Sequence, residues 1–97
     1  MKYNIPDRVL RDIITLAEAN AIERVVLFGS RARGTHGEKS DIDLAVSGGR
    51  ALEFYYDLEE QARTLLTFDV VNLDRGINAE LQAELERDGV VIYEKVR

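Results

Sequence analysis

Apolar residues recur every three or four positions near the start of the chain. Val9, Leu10, Ile13, Ile14, Leu16 and Ala17 fall on one side, with Arg8, Arg11, Asp12, Thr15 and Glu18 on the other. That spacing predicts an amphipathic helix. Pro6 stands where it begins, Asp7 lies in its first turn, and the pattern ends near Asn20. Residues 24–28 (RVVLF) form a β-branched run stopped by Gly29 and predict a buried strand. Residues 30–40 read as a loop whose start can form one or two helical turns. Strict alternation over residues 41–46 (DIDLAV) predicts a second strand, and Ser47-Gly48-Gly49 a turn.

A second long helix is expected over residues 50–66, with Ala51, Tyr55, Leu58, Ala62, Leu65 and Leu66 on one face and Tyr56 turned away from it. Residues 67–73 (TFDVVNL) predict a third strand. Ile77, Leu81 and Leu85 mark a third helix closing near Gly89, and residues 90–93 (VVIY) a last strand. Tyr3, Tyr55 and Tyr93 are expected to be partly buried. The connection between the first two strands is about a dozen residues, close to the minimum for a parallel crossover. The two strands are therefore expected to run antiparallel, in a small mixed β-sheet with helices packed on one face, an α+β fold.

Length narrows this picture. At 97 residues the chain reads as one domain, residues 1–97, near the small end of what folds alone. It has no room for a separate substrate domain, so a partner is expected to supply much of any acceptor site. There is no cysteine, which leaves oxygen ligands for a metal. No apolar run approaches the roughly 20 residues of a membrane span, and the N-terminus lacks a signal-like apolar stretch. No membrane contact and a cytoplasmic location are the expectation.

The formal net charge is -5, from 13 basic and 18 acidic residues, which argues against a nucleic acid polymer as partner. The basic residues are uneven, however. Arg31, Arg33, His36 and Lys39 cluster just before the first acidic pair. A local basic loop beside carboxylates suits a nucleotide with its metal.

Three features carry candidate chemistry. Asp41 and Asp43, two residues apart on a strand, project to the same face, and their mutual repulsion calls for a cation such as Mg²⁺ between them. An exposed acidic edge strand would look the same. Asp69 lies in an otherwise apolar strand; it is costly there if buried without a partner, or it simply faces solvent. Leu27-Phe28-Gly29-Ser30-Arg31 runs a strand into glycine and a hydroxyl residue. If a helical turn starts at Ser30, its free N–H groups form an anion site, and Arg31 and Arg33 can add charge-assisted contacts. His36, in a loop, reads as a surface residue.

Taken together, Gly29-Ser30, ten residues, then Asp41-x-Asp43 resembles the signature of the DNA polymerase β-like nucleotidyltransferase superfamily. The stretch GSRARGTHGEKSDIDLAV looks especially like the minimal nucleotidyltransferase (MNT) family of prokaryotes, and the likeness covers nearly the whole chain. The resemblance implies a polymerase-β-like fold in which Asp41 and Asp43 ligate two Mg²⁺ ions. Asp69 would serve the metal beside the acceptor and help deprotonate the attacking hydroxyl, while Gly29 and Ser30 hold the outer phosphates. It implies AMP transfer from ATP to a hydroxyl. Members of this family resemble antitoxins that modify a tyrosine of a helical HEPN-type partner, which makes a homo- or hetero-oligomer possible. Tyr56 would be a candidate contact for such a partner. Two other readings share these residues: a non-catalytic antitoxin that masks its partner, and an enzyme acting on a small molecule.

Overall fold

Helix α1 (Asp7–Ala19) forms where the apolar stripe places it and buries Val9, Leu10, Ile13, Leu16 and Ala17. The computed structural model describes residues 3–96. After α1 come β1 (Arg24–Phe28), a single turn α2 (Gly29–Arg33), β2 (Ile42–Ser47), α3 (Ala51–Gln61) and β3 (Phe68–Asn72). A 3₁₀ turn (Leu73–Arg75), α4 (Ala79–Asp88) and β4 (Val90–Glu94) complete the order. No helix among the described residues is long and apolar enough to cross a membrane.

The four strands stand in the order β3-β2-β1-β4. β1 is antiparallel to both β2 and β4, as the short connection to β2 requires, whereas β2 and β3 are parallel and joined through α3. Register then sorts the side chains. Val25 lies opposite Val46 and Leu27 opposite Leu44, and these join Ile13, Ile42, Phe54 and Leu58 in the main core. Val26, Phe28 and Ala45 point the other way, where Val71, Leu73, Leu81 and Leu85 cover them. Helices therefore pack on both faces, not on one as the sequence pattern suggested: α1 and α3 on the main core, α4 on the second. None of α4's residues is fully buried, which is why its periodicity did not reveal a distinct layer.

The second long helix is also shorter than its pattern. α3 stops at Gln61, and Leu65, assigned to its apolar face, is fully exposed; Phe54 and Leu58 are the residues it buries. The cause lies in α1. Asp12 accepts hydrogen bonds from the Arg63 backbone N–H at 2.9 Å and from its Nε at 3.1 Å, holding the chain in an extended path after Ala62. No proline or glycine signals that stop. Tyr56 is exposed, as expected.

Candidate active site

The site is built by strand register. Asp43 on β2 sits opposite Phe28 at the end of β1 and, across the parallel pairing, opposite Asp69 on β3. Cross-strand partners share a face, so Asp43 and Asp69 stand side by side on the α4 side of the sheet. Asp41 lies just before β2; its Oδ1 accepts a hydrogen bond from the Thr67 hydroxyl, and the Ile42 N–H donates to the Thr67 carbonyl at 2.9 Å. β2 begins at Ile42, so Asp41 stands one residue outside the strand whose alternation was expected to carry it. Asp41 and Asp69 are exposed and Asp43 is half-buried. Burial therefore does not explain Asp69: it faces solvent on an edge strand, and register alone brings it to Asp43.

Gly29 closes the other side. Its φ of 75°, in the left-handed region, turns the chain from β1 into α2. A Cβ there would overlap Asp43 Oδ2 and lie 3.0 Å from Asp43 Cγ, so the carboxyl group packs directly on the glycine backbone. Ser30 follows, half-exposed in the same turn.

The two arginines of the turn differ. Arg31 is only 3% exposed, and its guanidinium donates to the carbonyls of Asn4 (2.8 Å), Ser40 (3.0 Å) and Glu38 (3.2 Å). It pins the 34–40 loop and the N-terminal segment, a use that leaves it poorly placed for phosphate, contrary to the sequence expectation. Replacing it with methionine keeps the stem but orphans these carbonyls, some of which water can reach. A loss of about 2–3 kcal/mol in urea denaturation is expected. Arg33 instead lies on the carboxylate side, with Nη1 3.7 Å from Glu84 Oε2 on α4. His36, expected at the surface, is half-buried, and its Nδ1 is enclosed without a hydrogen-bond partner. Glu84 and Thr67 escaped the sequence reading, because nothing in a helix glutamate or a strand-end threonine indicates proximity to Asp43 or Asp41.

Electrostatics mark Asp43 as the centre. Its carboxyl is pushed up to about 6, first by desolvation and then by the charges of Asp69, Asp41 and Glu84, against a lowering effect of Arg33. A carboxyl that titrates higher in the folded chain than in the unfolded one binds more protons when folded. Stability contributed by its protonated form is thus lost as pH rises from about 4 toward 6. In the absence of divalent ions, Asp43→Asn is therefore expected to raise Tm at pH 7 by about 2–5 °C, after allowance for solvent screening. The difference from wild type should vanish near pH 4, and parallel Tm curves at both pH values would refute the assignment.

Among the described residues, no three acidic or histidine side chains form a ready-made metal cage. The donor set nevertheless fits Mg²⁺, which ordinarily takes one or two carboxylates and completes its shell with waters and substrate phosphates. The adjacent Asp43 and Asp69, with Asp41 at the strand end, offer oxygen ligands of that kind. Between α3 and β3 a groove of about 700 Å³ carries Asp69 in its wall, together with Leu52, Tyr55, Phe68, Asn72 and Arg75.

Comparison with known proteins agrees with this arrangement. The family described as "Polymerase beta, Nucleotidyltransferase" matches residues 11–97. A Methanocaldococcus jannaschii protein named "Putative protein adenylyltransferase" is 38% identical over 63 residues, which are 65% of this chain and 56% of the relative. The match thus spans little more than half the relative's length. A crystal structure of a toxin–antitoxin with AMP-PNP superposes with a TM-score of 0.71 at 26% identity, covering 89% of this chain and 73% of that one. A mutant of the toxin–antitoxin MntA-HpeT gives 0.68 at 26% identity, with the same coverages of 89% and 73%. With the mixed four-stranded sheet, these matches establish that the chain belongs to the polymerase β nucleotidyltransferase family.

Proposed function

We propose that this domain transfers AMP from ATP to a hydroxyl group, in a Mg²⁺-dependent reaction, and that its acceptor is a tyrosine on a helical HEPN-type toxin which the transfer silences. The observation that carries the reading is the juxtaposition of Asp43 with Asp69 on neighbouring strands, directly beside the Gly29-Ser30 turn. The relative named as a protein adenylyltransferase and the toxin–antitoxin structure with AMP-PNP support the nucleotide and the partner.

Asp41, Asp43 and Asp69 would hold Mg²⁺, which when bound would neutralise charge at the phosphates and lower the barrier to attack by the hydroxyl. The chain's own residues do the rest. The absent side chain at Gly29 lets phosphate oxygens approach the backbone, and Ser30 presents a hydroxyl and an N–H to them. Arg33 offers the positive charge that the outer phosphates require. Asp69, exposed on β3 beside Asp43, would take the proton of the acceptor hydroxyl. The acceptor oxygen bonds to the α-phosphorus, the bond to pyrophosphate breaks, and the proton leaves through Asp69.

The test is label transfer from α-labelled ATP to a purified HEPN-type toxin. Label should appear on the toxin with Mg²⁺, disappear on chelation with EDTA and return when Mg²⁺ is restored. Neutralisation of the toxin without any label would establish masking instead, and label on a small hydroxyl compound alone would establish a different acceptor.

A further inference from the structure

The carboxylate cluster confronts a triphosphate with a difficulty. Asp41, Asp43, Asp69 and Glu84 all place negative charge around one point, and Arg33 is the cation that offsets them at Asp43. Yet Arg33 is already engaged: its Nη1 lies 3.7 Å from Glu84 Oε2, with 39% and 30% of the two side chains exposed. The pair joins α2, the turn that begins at Gly29, to α4, a helix with no fully buried residue that rests on the sheet through Leu81 and Leu85.

We infer that Glu84 is a positioning residue that stands in for substrate phosphate, holding Arg33 beside the Gly29-Ser30 turn until a triphosphate displaces it. Three features support this. Arg33 and Arg31 share one helical turn, but Arg31 is fixed by three carbonyls while Arg33 has only a loose, half-exposed partner that it can leave. Glu84 is a carboxylate, so it keeps the guanidinium oriented by the same charge interaction that phosphate uses, and it does so without burying the pair. Finally, Glu84 acts in two directions: it occupies Arg33, and its own charge adds to the repulsion felt by an incoming anion. Both effects should make nucleotide binding weaker than the site's geometry allows, and both are lifted when α4 loses that carboxylate.

The inference rests on the nucleotide-binding reading above, and the experiment separates the two. Binding of α,β-methylene-ATP, which cannot release pyrophosphate, is measured by calorimetry in Mg²⁺ for wild type, Glu84→Gln, Arg33→Ala and the double variant. Breaking a half-exposed ion pair predicts a Kd lower by about two- to five-fold in Glu84→Gln. Arg33→Ala should bind more weakly than wild type, and adding Glu84→Gln to it should recover less than Glu84→Gln gains in wild type. Unchanged or weaker binding in Glu84→Gln overturns the proposal. So does an equal gain in the Arg33→Ala background, which would show Glu84 acting only through its long-range field. If wild type itself binds no nucleotide, the functional reading fails, and the role of Glu84 with it. Melting temperatures of all four proteins distinguish these outcomes from a purely structural anchor, which would lower Tm without tightening binding.

Discussion

Asp43→Asn is expected to reduce AMP transfer by about a thousand-fold or more while leaving the domain folded. The carboxylate sits at the centre of the cluster, between Phe28 and Asp69 in register and against Gly29. On the proposed mechanism Asp43 is a metal ligand, and removing that charge withdraws several kcal/mol of transition-state charge stabilisation, each 1.36 kcal/mol being about ten-fold in rate. The fold should not suffer, because this side chain is a source of repulsion in the absence of metal, with its carboxyl pushed up to about 6 by burial and by like charges. Loss of activity together with an equal or higher Tm at pH 7 is thus a signature specific to a functional carboxylate. A structural aspartate would lose both. Transfer within ten-fold of wild type would show that Asp43 is not central to the chemistry, whatever its position.

The second large effect is expected from Gly29→Ala. Two separate penalties meet at this position. A φ of 75° holds a non-glycine residue in the left-handed region, at a cost of roughly 1–2 kcal/mol. The added methyl group must also displace the Asp43 carboxyl, whose Oδ2 occupies the place a Cβ would take. Transfer should fall by at least about a hundred-fold, since a 1 Å misplacement of a reacting group can cost that much. The strain and the collision can be separated by a double-mutant cycle. In an Asp43→Ala background the overlap with the carboxyl disappears and only a 3.3 Å contact with the Cβ of residue 43 remains, so Gly29→Ala should then destabilise the fold mainly by the backbone term. Equal destabilisation in both backgrounds, read by urea denaturation, would mean that Asp43 does not press on Gly29 in solution.

How much of this was legible beforehand follows from the range of each interaction. Local order wrote most of the elements. The stripe of α1, the β-branched run of β1 and the alternation of β2 appear where periodicity placed them, and the short passage from Phe28 to Asp41 gave β1 and β2 their antiparallel sense. Side-chain alternation also sorted Asp43 and Ala45 from Ile42 and Leu44, because period two is a property of any strand. The end of α3 was not legible. It depends on Asp12 capturing Arg63 from another helix, and no breaker residue marks it.

The same division runs through the site. Gly29, Ser30 and the aspartate pair lie within a single stretch, so their spacing could be recognised by itself. What a linear chain cannot encode locally is which residue stands beside which across strands. That Asp69 faces Asp43 is a matter of parallel register, that Arg31 is a buried clamp and Arg33 is not is a matter of which carbonyls fold over α2, and that Glu84 reaches the cluster depends on α4 crossing the second face of the sheet. Sequence by itself determined most of the elements and the spacing of Gly29-Ser30 from the aspartate pair, because both are local along the chain. Tertiary structure alone decided the charge balance at Asp43 and the separate roles of the two arginines, because burial and Coulomb interactions depend on distances through space, not along the chain.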